Sequence, residues 1–253
     1  MMMGNIGVIA GRELRALFGS PLAWVILAVV QWLVGYLFLT GLDNFLQWAS
    51  RQSALEGGPG VTDIVVAPLF ANTAVVLLLV APLITMRLLA EERRHHTLTL
   101  LLSAPVSMTD IVLGKYLGAM GFFGFMLLFI VAMPLSLSVG GPLDVGKIAA
   151  GALGLYLAVA AFVAIGLLMS ALTAQPTVAA IAALGVLLGL WVVDWAGRDS
   201  AMDAVLRYMS LQGHLESLLK GVFNSTDVAY YGLLIIAALG LSVWRLDADR
   251  RRP

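Results

Sequence analysis

The side chains able to do chemistry are few, and their spacing argues against most chemistries. Histidines stand at His95, His96 and His214, and there are no cysteines. Disulfides, thiolate metal sites and cysteine nucleophiles are therefore excluded, while the redox compartment stays undetermined. His95 and His96 are adjacent, so on a helix they point about 100° apart. His214 falls on the other side of the membrane in the topology derived below, so no metal site is expected. Gly141-Pro-Leu-Asp-Val-Gly146-Lys147-Ile148 nearly spells a phosphate-binding loop, but Ile148 stands where Ser or Thr would hold magnesium, and the run falls in an outer turn. An intramembrane protease would need a Ser-His or paired-Asp constellation at one depth, and none can be drawn. What remains is a dense ionic run, Arg87, Glu91, Glu92, Arg93 and Arg94. Such a run could dock on a partner or on the lipid interface, or form a solvated helix face.

The elements that must position this run are set by composition. Of 253 residues, 60% are hydrophobic and 12% charged, with a mean hydropathy of +0.95. A soluble domain of this length does not need that, so lipid is the solvent for most of the chain. The formal net charge is zero, which gives no electrostatic case for nucleic acid as a partner.

A membrane span needs about 20 apolar residues. Uncharged runs Ala16 to Leu42, Ile64 to Met86 and Tyr116 to Leu143 each hold one crossing, and Val228 to Trp244 a shorter one. Ile148 to Val193 has 46 uncharged residues with Thr173-Ala174-Gln175-Pro176-Thr177 in its middle. Proline removes a helix donor there, so this run is expected to be a helical hairpin. The expected fold is a single all-α integral membrane domain over 1–253, with spans at 22–42, 66–87, 116–138, 148–171, 177–195 and 227–245. The first apolar stretch is too long for a cleaved signal and is expected to be an uncleaved span.

Ten of the fifteen lysines and arginines fall on one face of this topology, from Arg12 and Arg15 through Arg87, Arg93, Arg94 and Lys115 to Arg245 and the 250–252 cluster. The positive-inside rule then makes both termini cytoplasmic.

Three polar segments are long enough to do more than turn the chain. The loop at 88–115 reads as a helix running out from the membrane and stopping at Pro105, with Leu98, Leu101 and Leu102 on one apolar face. It either docks on a partner or on the lipid interface, or is a solvated loop helix. Residues 1–20 mix Ile6, Val8, Ile9, Leu14, Leu17 and Phe18 with Arg12, Glu13 and Arg15, the pattern of an interfacial amphipathic helix, and Pro21 suits the bend into the membrane. The outer segment 197–226 carries apolar residues at helical spacing, broken near Gly213 and Gly221. Within the spans, Gln31 and Asn72 are the main polar residues. They either line a substrate path or hydrogen-bond between helices, and the near absence of charge opposes a proton-coupled carrier. Gly114-xxx-Gly118 and Gly185-xxx-Gly189 allow close helix approach, as at a dimer interface.

Several motifs resemble the ABC-2 type permeases, most closely the branch containing the gliding-motility permease subunit. Arg12-Glu-Leu-Arg-Ala-Leu-Phe-Gly-Ser-Pro-Leu-Ala-Trp24 looks like that branch's N-terminal motif. Pro82-Leu-Ile-Thr-Met-Arg87, Ala90-Glu-Glu-Arg93, Leu102-Ser-Ala-Pro105 and Leu113-Gly-Lys115 resemble the first cytoplasmic loop, and Ser210-Leu-Gln-Gly-His214, Gly221 and Tyr230-Tyr231 resemble the last outer loop and sixth span. His96-Thr97 and Thr99 depart from the family's Gly-Thr pair and further acid.

The resemblance implies a non-catalytic permease subunit of an ATP-driven exporter in a bacterial cytoplasmic membrane. It would pair with a second copy or paralogue, with membrane lipid around it and an extracytoplasmic accessory protein met by the outer segment at His214 and Gly221. A cytoplasmic ATP-binding subunit would supply ATP and magnesium, since no strand-then-helix nucleotide site can be drawn in this chain and no cofactor is expected in it. Coupling would run through Arg87, Glu91, Glu92, Arg93, Arg94, Thr97, Pro105 and Lys115. The alternative is a scaffold or secondary carrier that works without nucleotide, and an ATP-binding partner discriminates the two.

Overall fold

A computed structural model describes residues 2–51, 60–95, 106–139, 143–193 and 208–251. Thr97, Pro105, the Leu98 to Leu102 face and the 197–207 part of the outer segment lie outside the described residues. Among the described residues the fold is nine α-helices and no strand. They are α1 (Met2–Phe18), α2 (Pro21–Arg51), α3 (Ala67–Thr85), α4 (Arg87–Arg94), α5 (Met108–Ser136), α6 (Val145–Leu172), α7 (Pro176–Val192), α8 (Leu211–Leu219) and α9 (Ser225–Arg250). A π-helical turn, Thr62–Val66, leads into α3.

Among the described residues, five segments are long and apolar enough to cross a membrane: Pro21–Trp48, Thr62–Arg94, Met108–Ser136, Val145–Leu172 and Ser225–Arg250. Helix α7 is also apolar but has 17 residues, about 25 Å of rise. It opens at Pro176, where the missing N–H is no loss in a first turn.

Helix α6 is the hub, packed against α3, α5, α7, α8 and α9. Every residue from Ala158 to Leu167 is buried, and the many alanines let neighbouring helices approach closely. Helix α2 is peripheral. Ala23, Ile26, Val30 and Val34 face the bundle, while Val25, Val29, Trp32, Tyr36 and Leu39 are exposed. A helix that is apolar on both faces fits lipid on its outer side.

The N-terminal helix does not lie apart from the bundle. It packs along α5, because that helix carries Gly114, Gly118 and Gly121 on one stripe. A Cβ at Gly114 would come 2.6 Å from Ile9, and one at Gly118 would come 2.6 Å from Glu13. The Gly114-xxx-Gly118 spacing, expected to suit a dimer interface, therefore receives α1 of the same chain. At the elbow, Trp24 Nε1 donates to the Phe18 carbonyl at 2.7 Å and fixes the turn before Pro21.

The two ends of the bundle differ in character. The end holding the termini gathers α1, α4, the start of α5 and the end of α9. The opposite, distal end gathers the π turn, the start of α6, α8 and the start of α9. There Lys147 Nζ meets Asp63 Oδ1 at 2.8 Å. The run that resembles a phosphate-binding loop starts α6 instead: the Asp144 side chain accepts from Lys147 N at 3.1 Å as a helix cap.

Candidate functional site

Helix α4 holds the whole ionic run, from Arg87 to Arg94. Pro82 sits inside α3, and the chain turns at Met86 before α4 begins. In an unbroken helix the Ala90 N–H would donate to the Met86 carbonyl. Instead Ala90 N donates to Ser170 Oγ at 2.9 Å, Leu89 N donates to the same oxygen at 3.0 Å, and Ser170 Oγ donates to Met86 O at 2.9 Å. A serine hydroxyl has one proton and two lone pairs, so all three capacities are used. A side chain set into the hydrogen-bond ladder is a recognised cause of a helix break. One turn earlier on α6, Gly166 makes room for Thr85, whose Oγ1 would lie 2.1 Å from a Cβ there. The base of α4 is thus seated on α6.

Its far end is held by charge. Lys115 on α5 is 4% exposed and lies between two carboxylates, Glu92 Oε1 at 2.8 Å and Glu13 Oε2 at 3.2 Å. A buried ammonium is tolerated because opposite charges flank it. On the other side of α4, Arg93 pairs with Asp249 of α9, and Arg245 Nη1 approaches Asp249 Oδ1 at 3.3 Å. Four helices, α1, α4, α5 and α9, are joined by these contacts.

The expected coupling residues consequently divide into two groups. Glu92, Arg93 and Lys115 face inward and hold α4, with Glu13 contributed by α1. Arg87 and Arg94 are exposed and Glu91 is half-buried. Among the described residues none of these three forms an ion pair. Arg12 and Arg15 are exposed on α1, where Arg15 Nε donates to Gly11 O at 3.2 Å. Downstream, Ser107 and Asp110 form a reciprocal cap that starts α5: Asp110 N donates to Ser107 Oγ at 3.0 Å, and Ser107 N to Asp110 Oδ2 at 3.4 Å. Sequence reasoning missed Ser170, Asp249, Ser107 and Asp110. Only the last two carry a local signal, the Ser-x-x-Asp spacing of a capping box.

At the distal end, His214 on α8 is 8% exposed. Its Nδ1 lies 2.6 Å from Asp227 Oδ1 and its Nε2 lies 3.0 Å from the Tyr208 carbonyl. Tyr230 stacks on the imidazole at 4.1 Å between centroids. Tyr230 and Tyr231 donate to the carbonyls of Met209 and Leu211, tying α9 to the α8 region. Gly221 has φ +80°, and a Cβ there would come 2.7 Å from Lys147. His214 and Gly221 therefore have structural partners inside the chain. No group of three or more metal-binding side chains is found among the described residues.

Gln31 behaves as an interhelical tie. Its Nε2 donates to Met126 O on α5 at 2.8 Å.

Among the described residues, an all-helical fold with five apolar helices of spanning length and one end concentrated in paired charge defines a multi-pass membrane component. Residues 8–248 match the family described as ABC-2 family transporter protein, and the chain belongs to that family of membrane transport permeases. No curated protein gives a significant match.

Proposed function

We propose that the chain is the transmembrane permease subunit of an ATP-driven exporter, in which a separate cytoplasmic subunit hydrolyses ATP with magnesium. In this reading α7 completes six crossings, and both termini lie on the cytoplasmic side of a bacterial inner membrane. Two permease chains form the transport unit, and an accessory protein meets the distal end. The gliding-motility permease branch is the relative we favour. Members of the family generally work with a cytoplasmic ATP-binding subunit, which supports the coupling half of the reading.

The observation that carries the proposal is the mounting of α4. A lever that transmits force needs a fixed base and a free working face. Ser170 holds the base and Lys115 and Asp249 hold the inward side of the far end, whereas Arg87, Glu91 and Arg94 remain available to a partner. Closure of nucleotide-bound subunits would push on this face and tilt α3 and α6, to which it is seated.

The test is purification of the tagged full chain from its host in mild detergent. An ATP-binding subunit should copurify, and Glu91→Ala with Arg94→Ala should release it while the permease itself stays folded. Absence of any such subunit under every solubilisation condition would overturn the ATP-driven reading.

A further inference from the structure

The turn between α8 and α9 carries two apolar side chains that its own caps do not hide. Helix α8 ends in a Schellman motif: Gly221, at φ +80°, donates its N–H to the Leu218 carbonyl at 3.1 Å, and Val222 N donates to the Ser217 carbonyl at 3.3 Å. Asn224 then caps α9, its side chain accepting from Thr226 N at 3.1 Å. The backbone is fixed at both ends, and the residues between the caps are Val222 and Phe223. In a Schellman motif the residue at the Val222 position commonly packs on an apolar side chain at the third or fourth residue from the helix end. Here those positions are Ser217 and Glu216, and Val222 is 59% exposed. Phe223 stands just before the cap of α9, in register to staple onto Val228, yet it is 62% exposed. A polar side chain in the open is satisfied by water. A valine and a phenyl ring are not, and a backbone fixed by two caps prevents them from folding back.

The length of α9 says what meets them. Its outward face is a stripe of exposed apolar side chains, Leu233, Ile236, Leu241 and Trp244, the face that a spanning helix turns to lipid. Trp244 followed by Arg245 marks the boundary at the end that holds the termini, because aromatic and basic side chains gather where a helix leaves the hydrocarbon. From Trp244 to Ser225 the helix rises roughly 28 Å, against a hydrocarbon layer of about 30 Å. Val222 and Phe223 therefore fall at the opposite boundary, and any tilt of α9 shortens its projection and draws them further in. The charges beside the turn are already paired, Lys220 Nζ with Glu216 Oε1 and Lys147 Nζ with Asp63 Oδ1, each at 2.8 Å. What the turn offers is an apolar contact at bilayer depth, below the surface that an accessory protein would reach.

We propose that Val222 and Phe223 form a lipid-seated wedge, a rigid apolar turn that enters the acyl-chain edge of the leaflet at the distal end and anchors the corner between α8 and α9 there. The partner is the phospholipid of that leaflet, met through its acyl chains and not through headgroup charge. The proposal goes beyond the permease reading: it needs α9 to span the membrane and does not depend on ATP coupling.

Power-saturation electron paramagnetic resonance of the full chain in dioleoyl phosphatidylcholine vesicles tests it. The chain has no cysteine, so a nitroxide on Phe223→Cys, Val222→Cys, Lys220→Cys or Leu233→Cys reports one site at a time. Oxygen concentrates in hydrocarbon, and nickel ethylenediaminediacetate stays in water. The Val222→Cys and Phe223→Cys labels should collide with oxygen, relative to the nickel complex, several-fold more than the Lys220→Cys label on the same corner, and less than the Leu233→Cys label inside the span. All four substitutions replace exposed side chains, so unfolding midpoints should match the parent, and Val222→Cys supplies the reading if Phe223→Cys does not fold. A ratio at Val222→Cys and Phe223→Cys equal to that at Lys220→Cys would put the turn in water and overturn the proposal. Weak collision with both relaxers would mean that protein covers the turn, a second copy or an accessory chain, and would overturn it equally. A missing ATP-binding partner would leave these ratios unchanged.

Discussion

Ser170 Oγ stands in for a turn of backbone at Met86: it donates to the Met86 carbonyl at 2.9 Å and accepts the N–H of Ala90, which would otherwise donate to that carbonyl, also at 2.9 Å. The hydroxyl thereby lets the helix break without leaving buried polar groups unsatisfied. It also makes the direction of α4 a property of α6, the most enclosed helix of the bundle.

Ser170→Ala should therefore cost more than a methyl-for-hydroxyl exchange. It strands the Leu89 and Ala90 donors, and a buried orphan group costs about 1–3 kcal/mol. A lower thermal unfolding midpoint in detergent, with weaker retention of the proposed ATP-binding subunit, is the expected pair of results. An unchanged midpoint would mean that α3 and α4 reseal into one helix without it. Gly166→Ala should be at least as damaging, because its Cβ meets Thr85 Oγ1 at 2.1 Å, and Thr85→Ala should recover part of the loss.

Lys115→Met removes a buried cation that pairs with both Glu13 and Glu92 and takes that ionic partner from each of two half-buried carboxylates. Breaking a buried pair by deleting one partner costs about 3 kcal/mol or more. The triple variant Lys115→Met, Glu13→Gln, Glu92→Gln should regain most of that, since an uncharged cluster has no unpaired charge to desolvate. Unfolding midpoints of the single and triple variants give the comparison. Equal losses in both would show that the ionic triad is not what holds α4 to α1 and α5.

Much of the architecture is legible in the sequence for reasons that can be named. Apolar runs reveal spanning helices because length and hydropathy are local properties, and Pro176 marks the break in the longest run because proline removes a donor wherever it stands. Partner choice is less legible. The Gly114-xxx-Gly118 spacing announces that something approaches closely, but no spacing says whether it is a second chain or α1. Likewise, Arg93 and Asp249 are 156 positions apart, and nothing at either position points to the other. Ser170 lies in an uncharged run where a serine attracts no notice. Gln31 and Asn72 look equivalent in sequence, yet one ties α2 to α5 and the other is exposed on α3. The charges that would do the coupling are visible, but their division into inward clamps and an outward face depends on the fold.

The docking of α1 gives a direct contrast with a helix lying free on the membrane surface. Gly114→Leu places a side chain where Ile9 packs within 2.6 Å of a Cβ, so it should lift α1 away from α5. The chain has no cysteine, so a spin label on Val8→Cys reports α1 alone. Increased label mobility with a lowered unfolding midpoint is the expected outcome. Unchanged mobility would mean that the α1 to α5 contact is dispensable.

The last prediction separates hydrogen bonding from charge at the distal end. The Tyr208 carbonyl can only accept, so His214 Nε2 carries a proton, and the short contact from Nδ1 to Asp227 Oδ1 needs a second proton between them. Asp227→Asn can supply that proton from its amide to a neutral ring. It should keep the geometry and lose under about 1 kcal/mol, whereas Asp227→Ala leaves Nδ1 without a partner beneath Tyr230 and should lose about 1–3 kcal/mol. Unfolding midpoints rank the two. If Asn is as damaging as Ala, the ionic form of the pair is what α8 and α9 require, and the hydrogen bond alone does not suffice.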